Sequence, residues 1–70
     1  MLPLTLADMG ETNIIRRVGG NPEQRKHLED MGFVVGGDVT VVSAMGGNLI
    51  VSVKESRVAI SRETAGKIMV

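Results

Sequence analysis

Hydrophobic and polar residues alternate with a period of two in the middle of the chain, along two runs separated by the segment SAMGGN. The alternating apolar positions are Val39, Val41, Leu49, Val51 and Val53. Because this period is typical of strands that bury one face, the two runs predict a β-hairpin. Pairing Val41 with Val51 and Val39 with Val53 on the buried face requires an odd number of loop residues. We therefore expect a three-residue loop, Met45-Gly46-Gly47, with a glycine at positive φ.

The segment NPEQRKHLEDMG, residues 21–32, begins and ends with residues typical of helix ends and predicts a short helix. Asn21 can cap the first turn, and Gln24 can reach back to it as in a capping box. Gly32 supplies the left-handed position that commonly ends a helix, since it has no Cβ to clash. In that geometry Phe33 is expected to pack against Leu28, because a helix end of this kind brings these two positions together.

The remaining apolar runs are short and predict further strands. They are a strand at residues 13–18, a strand at residues 57–61 with Val58 and Ile60 on one face, and a C-terminal strand in which Ile68 and Val70 would close the sheet. Ser61 can cap a short helical turn before the last strand. Short strands, one longer helix and glycine-rich turns indicate a small closed barrel, since closure removes the exposed edges of a small sheet.

Length and composition narrow the class of protein. A chain of 70 residues predicts one domain, residues 1–70, with a small core. Hydrophobic residues make up 43% and charged residues 23%, which is ordinary globular composition. The chain has no Cys, so a disulfide framework is excluded and a reducing, cytoplasmic setting is expected. The N-terminus lacks the pattern of a signal peptide or a membrane span, so no membrane insertion is expected.

Few residues offer catalytic or metal chemistry. His27 is the only histidine and lies four residues after Glu23, which gives two ligands on one helix face where a structural zinc site uses four and a catalytic one three. The phosphate-binding and nucleophile motifs that mark common enzyme classes are missing. We therefore expect no catalytic residues, no metal site, no cofactor and no enzymatic activity.

Candidate interaction residues lie in the loops and in one basic pair. Val34 and Val35 interrupt a glycine-rich segment, Met45 lies at the predicted hairpin tip, and Arg16 and Arg17 are adjacent. Apolar loop residues on a rigid scaffold can meet a partner protein, although burial under neighbouring loops explains Val34, Val35 and Met45 equally well. Because Lys plus Arg equals Asp plus Glu and aromatic residues are 1% of the chain, nucleic acid is not an expected partner.

A set of apolar and glycine positions runs through most of the chain in a fixed order: Leu28-x-x-Met31-Gly32-Phe33-x-x-Gly36-x-x-Val39-x-Val41, then Val58-Ala59-Ile60, then Ala65-x-x-Ile68-x-Val70. With the opening LTLADMGETNIIRRV, this set resembles the ferrous iron transport protein A (FeoA) family. The resemblance implies a mainly β, SH3-like barrel of about five to six strands. One helix would follow the first strands, and a short helical turn would precede the C-terminal strand.

The resemblance also implies a function. A family member is expected to be a cytoplasmic accessory protein that binds and modulates the FeoB ferrous iron permease. Weak self-association stays open. The alternative is a nucleic-acid-binding or metal-regulator-associated barrel, since related domains occur in metal-dependent repressors; steep salt dependence of DNA or RNA binding would identify it.

Two positions depart from the family pattern. Val35 stands where family members often have a proline, and Glu55-Ser56 stands where they often have a glycine in the last hairpin. The first makes the loop more apolar and more flexible, and the second affects the turn between Val53 and Val58.

Overall fold

Six short strands and two helices make up the regular structure in the computed structural model, which describes residues 1–70. The strands are β1 (Thr12–Ile14), β2 (Arg17–Val18), β3 (Asp38–Met45), β4 (Asn48–Val53), β5 (Ser56–Ser61) and β6 (Ile68–Met69). The helices are α1 (Pro22–Asp30) and α2 (Arg62–Ala65), and a single 3-10 turn covers Leu4–Leu6. The mainly β class, the strand number and the positions of both helices agree with the prediction.

Two antiparallel sheets share the strands. The larger has the order β1-β3-β4-β5, and the smaller pairs β2 with β6. The chain ends extend the smaller sheet, because Leu2 and Val70 exchange two backbone hydrogen bonds of 2.8 Å and Pro3 bridges Met69. The sheets and helices enclose one core of 14 buried apolar residues. Ile68 and Val70 are buried as expected, and β6 pairs with β2 in the smaller sheet rather than with a strand of the hairpin.

Helix α1 begins as its sequence predicts. The Asn21 side chain accepts a hydrogen bond from the Gln24 backbone N–H at 2.8 Å, and the Asn21 N–H donates to the Gln24 side chain at 3.1 Å. Two N–H groups that the first turn would leave unpaired are thereby satisfied.

The end of α1 also follows its sequence. The Phe33 N–H donates to the Leu28 carbonyl at 2.9 Å, while Gly32 has φ +107. This is the Schellman arrangement, in which the residue after the left-handed glycine turns back onto the last helical turn. Phe33 and Leu28 are 0% and 3% exposed and belong to the same core cluster, which confirms the predicted pairing.

The hairpin has the predicted register but a different loop. Val41 pairs with Val51 and Val39 with Val53, as expected. Met45, however, pairs with Asn48 and belongs to β3, so the predicted three-residue loop is wrong and the turn contains only Gly46-Gly47. Gly46 has φ +58, which confirms the predicted positive φ. The odd residue lies elsewhere: the register shifts between Val41 and Ser43, which makes Val42 the extra residue of a β-bulge.

The predicted strand at residues 13–18 is divided between the two sheets. β1 ends at Ile14, and Arg17 pairs with Met69 of β6. Between them, Ile15 is 1% exposed and bonds to the loop before β3, donating to the Gly37 carbonyl and accepting from the Gly36 N–H at 2.8 Å each. One continuous strand was therefore a wrong prediction, because this segment crosses from one sheet to the other.

The later elements follow the prediction closely. β5 buries Ile60 and half-buries Val58 on one face. The Ser61 hydroxyl accepts from the Thr64 N–H at 3.1 Å and begins α2 as expected.

Candidate interaction surface

A tight turn at residues 34–37 holds the most exposed apolar side chain of the loop before β3. The Gly37 N–H donates to the Val34 carbonyl at 3.0 Å, and Gly36 has φ +89. A positive φ at the third residue alone is the pattern of a type II turn, and Val35 occupies its second position. Val35 is 68% exposed, whereas Val34 is half-buried. Of the predicted valine pair, only Val35 is thus largely exposed.

The hydrogen bonds of Ile15 place this turn beside the start of the molecule's basic pair. Ile15 bonds to both Gly36 and Gly37, which holds this turn beside the chain segment that contains Arg16. Ile14 precedes Ile15, pairs with Asp38 and is 47% exposed. Arg16 is also exposed. We call these three residues, Ile14, Arg16 and Val35, the Val35 surface.

Ile14 was missed in the sequence, although a signal was present. Ile14 and Ile15 are adjacent, and neighbouring residues of a strand point to opposite faces. One of the two isoleucines therefore had to face outward in any strand that buries one face. The pattern could not tell which one, because that depends on the partner segment.

The other predicted interaction residues lie elsewhere. Met45 is 68% exposed at the far end of β3, seven residues beyond Asp38. At about 3.3 Å per strand residue, this separation is roughly 23 Å, close to the width of a molecule measuring 28 × 23 × 23 Å. Arg17 is exposed but belongs to the smaller sheet. The structure therefore places the turn of Val35 beside the segment of Arg16 and leaves Met45 at the far end of β3.

A polar cavity of about 390 Å³ opens next to the Val35 surface. No hydrophobic residue lines it. Its lining residues are Thr12, Gly32, Gly37, Asp38, Thr40, Ser52, Lys54 and Glu55. We call it the polar pocket. No sequence motif predicted it, because its residues come from four separate parts of the chain.

One row of residues across the larger sheet forms the floor of the polar pocket. Thr12 pairs with Thr40, and Thr40 pairs with Ser52. The two threonine hydroxyls are 3.0 Å apart. Because Val39 and Val41 on either side of Thr40 are buried, the three hydroxyl residues lie on the outer face of the sheet.

The turn at residues 53–56 forms one wall of the polar pocket. Val53 pairs with Ser56, and the two residues between them, Lys54 and Glu55, have φ values of +47 and +65. Two consecutive positive φ values are the pattern of a type I′ hairpin turn, in which glycine and asparagine are favoured. The departure from the family pattern at Glu55 thus leaves the hairpin intact, with two charged residues in the left-handed region.

Glu23 and His27, which are too few to form a metal site by themselves, lie on one helix face. His27 and Glu23 are both exposed, and no group of three or more His, Cys, Asp or Glu side chains is close enough to hold a metal ion. His27 borders a shallow depression of about 100 Å³ between α1 and α2. Neither helix has the length and apolar composition needed to cross a bilayer.

Comparison with known proteins gives a consistent family match. The FeoA domain model matches residues 2–70. A curated relative from Methanocaldococcus jannaschii, "Putative Fe(2+) transport protein A", is 36% identical over 70 residues, which cover 100% of this chain and 85% of that protein. The two proteins are therefore similar along the whole chain described here.

Solved structures share the fold. A crystal structure of an iron uptake regulatory protein (FeoA) superposes with a TM-score of 0.88 at 29% identity, covering 97% of this chain and 92% of that one. FeoA of Stenotrophomonas maltophilia, crystallised with zinc and described as an SH3 domain protein, has a TM-score of 0.84 at 23% identity. That alignment covers 99% of this chain and 88% of the other. The predicted SH3-like fold is confirmed.

Proposed function

The chain belongs to the FeoA family, and from that premise we propose that it is a cytoplasmic accessory protein that binds and modulates a FeoB-type ferrous iron permease. The family connects the chain to ferrous iron transport. The proposal adds the partner and the mode of action: contact with a cytoplasmic part of the permease, through the Val35 surface, without catalysis by the chain itself.

The exposure of Val35 on a tight turn carries this proposal. An apolar side chain that is 68% exposed loses unfavourable contact with water when a partner covers it. The turn is fixed by its own hydrogen bond and by the bonds from Ile15, so little conformational entropy is lost when the side chain is immobilised in a complex. Arg16 follows Ile15 and is exposed, so it offers a planar donor group on the segment that bonds to this turn, and arginine is enriched in protein interfaces.

Modulation of the permease then requires only that the chain bind one conformation of the permease more tightly than another. If the permease alternates between two conformations, a ligand that binds one of them more tightly shifts the population toward it. The chain needs no active site for this role. Its contribution is the free energy of binding to one state relative to the other.

Binding to the purified cytoplasmic domain of the permease from the same organism tests the proposal. We expect Val35→Asp and Arg16→Glu each to weaken binding about tenfold or more, which is about 1.4 kcal/mol. Met45→Asp is the matched control, because Met45 is equally exposed at 68% but lies at the other end of β3. Isothermal titration calorimetry measures all three affinities.

Two results would contradict the proposal in different ways. If Met45→Asp weakens binding and Val35→Asp does not, the contact is at the hairpin tip, where the sequence also predicted an interaction residue. If the unaltered chain does not bind the cytoplasmic domain and does not change ferrous iron uptake by the permease in proteoliposomes, the proposed partner is wrong.

A further inference from the structure

We propose that the polar pocket receives a basic side chain, arginine or lysine, from an extended segment of the partner that also covers the Val35 surface. This inference rests on the proposed function, which it deepens by stating the chemistry of the partner. It is carried by the charge of the pocket, by the hydroxyl row on its floor and by its position beside Ile14.

The charges that line the pocket favour a cation. Asp38 and Glu55 contribute two carboxylates and Lys54 one ammonium group, so the lining has a net charge of about −1 at neutral pH. Arg57 pairs with Ser52 and is exposed at the edge of the hydroxyl row, but it does not line the cavity. A basic side chain that enters therefore meets two opposite charges and one like charge.

The uncharged lining groups supply hydrogen-bond acceptors. The hydroxyls of Thr12, Thr40 and Ser52 can each accept, and carboxylates accept at several positions. A guanidinium group has five N–H donors in a planar arrangement and no acceptor, which matches a site rich in acceptors. The cavity volume of about 390 Å³ leaves room for such a group together with bridging waters, each of which takes about 30 Å³.

The wall of the pocket retains charged residues at positions where the backbone favours glycine. Lys54 and Glu55 both have positive φ, which costs free energy for any residue with a Cβ. Residues held in such conformations tend to cluster at functional sites. Here the residues in question are the ones that place a carboxylate and an ammonium group on the cavity, and the hairpin would form more easily without them.

The spacing of the two sites fits one extended segment. Ile14 and Thr12 lie on the same face of β1, two residues and about 7 Å apart. Alternate residues of an extended partner segment are separated by the same distance and point to the same side. Ile14 also pairs directly with Asp38 of the pocket. A segment with an apolar residue and a basic residue two positions later would therefore contact the Val35 surface and the polar pocket together.

Nuclear magnetic resonance titration tests this inference without the permease. The probe is the peptide acetyl-Ala-Val-Ala-Arg-Ala-amide, and the control peptides carry Gln or Asp in place of Arg. We expect the Arg peptide to shift the amide resonances of Thr12, Asp38, Thr40, Ser52 and Glu55, with the Gln peptide at least threefold weaker. The Asp peptide should be weaker still, because its carboxylate faces two others.

Variants of opposite sign sharpen the test. Asp38→Asn and Glu55→Gln should each weaken binding of the Arg peptide by about threefold or more, because each removes one carboxylate from the lining. Lys54→Gln should strengthen it, because it removes the only ammonium group. All three are polar replacements of similar size at exposed positions, and unchanged spectra elsewhere verify that each variant is folded.

The inference is overturned if the Arg peptide produces no shifts at the pocket, if Asp38→Asn leaves its affinity unchanged, or if the Asp peptide binds best through Lys54. It can fail while the proposed function stands: the permease domain would then bind the unaltered chain and Asp38→Asn equally well. Conversely, peptide binding at the pocket without binding of the permease domain would refute the partner and leave the pocket chemistry in place.

Discussion

Two tight turns border the polar pocket, and they meet similar backbone demands with different residues. The turn at residues 34–37 needs a positive φ at one position and has Gly36 there, at φ +89. The turn at residues 53–56 needs it at two positions and has Lys54 and Glu55 there. The first turn has a residue suited to its conformation, and the second holds charged side chains at a cost in stability. At the second turn, the binding role proposed for the polar pocket is therefore expected to cost stability.

The two turns also differ in how they depend on the helix end. A Cβ at Gly32 would lie 3.3 Å from Lys54 Cγ and Cδ and 3.4 Å from Val53 Cγ2. A Cβ at Gly36 would have no atom within 4 Å. The turn at residues 53–56 is thus packed against the end of α1, whereas Gly36 is constrained by its backbone alone.

The largest expected effect comes from Gly32→Ala. The substitution adds left-handed strain at φ +107 and pushes against the Lys54 stem, so we expect a loss of about 2 kcal/mol in the free energy of unfolding. Urea denaturation measures it. In the double variant with Lys54→Ala, part of this loss should be recovered; if none is, the packing of the turn against the helix end does not contribute.

Gly36→Ala should lower the free energy of unfolding less than Gly32→Ala does. Its Cβ has open space around it, so only the backbone conformation is penalised, and we expect a loss of about 1.5 kcal/mol. The same urea titration compares it with Gly32→Ala. If Gly36→Ala destabilises the chain as much as Gly32→Ala or more, the contacts of the added Cβ with Lys54 and Val53 do not contribute to the loss at Gly32.

Replacing Lys54-Glu55 with Asn-Gly should stabilise the chain by about 1 kcal/mol, because this dipeptide is favoured in type I′ turns. The same double variant removes one carboxylate and one ammonium group from the wall, so the two effects on affinity for the Arg peptide should largely cancel. Glu55→Gln is the matched control, since it removes the carboxylate but keeps a Cβ at positive φ, and its stability should stay near that of the unaltered chain. A destabilised Asn-Gly variant would mean that the turn is not strained.

Val35→Pro should have the smallest effect, a gain of about 0.5 kcal/mol from reduced entropy of the unfolded chain. Proline is favoured at the second position of a type II turn, and the Val35 N–H donates to no backbone carbonyl. Thermal unfolding measures the gain. Loss of stability would show that the backbone at Val35 cannot accept the φ that proline requires.

These two turns also show how far the sequence could be interpreted. The capping residues of α1 predicted both of its ends, because caps act through hydrogen bonds between near neighbours in the chain. The proline common in relatives at the position of Val35 becomes understandable once the turn type is known. The strain at Lys54 and Glu55 could not be predicted, since neither residue favours positive φ and the conformation is imposed by the pairing of β4 with β5.

The prediction of a three-residue hairpin loop was wrong for a related reason. The parity argument was correct, as the confirmed register shows, but it could not say where the odd residue would lie. The odd residue is Val42, which forms a β-bulge. A valine gives no local sequence signal for a bulge. The polar pocket was out of reach for the same reason, because Thr12, Thr40 and Ser52 align only after three strands have been placed in register.

The hydrogen bonds between Leu2 and Val70 join distant parts of the chain, so we expect them to form late in folding. Pairs between distant parts of a chain form slowly, because closing a long loop costs entropy before any contact compensates for it. The extension of the smaller sheet by Leu2 and Val70 therefore requires the closure of nearly the whole chain. A circular permutant that joins the two ends by a short linker and opens the chain between Gly46 and Gly47 converts this contact into a local one. We expect such a permutant to fold to the same barrel and to form this contact early instead of late.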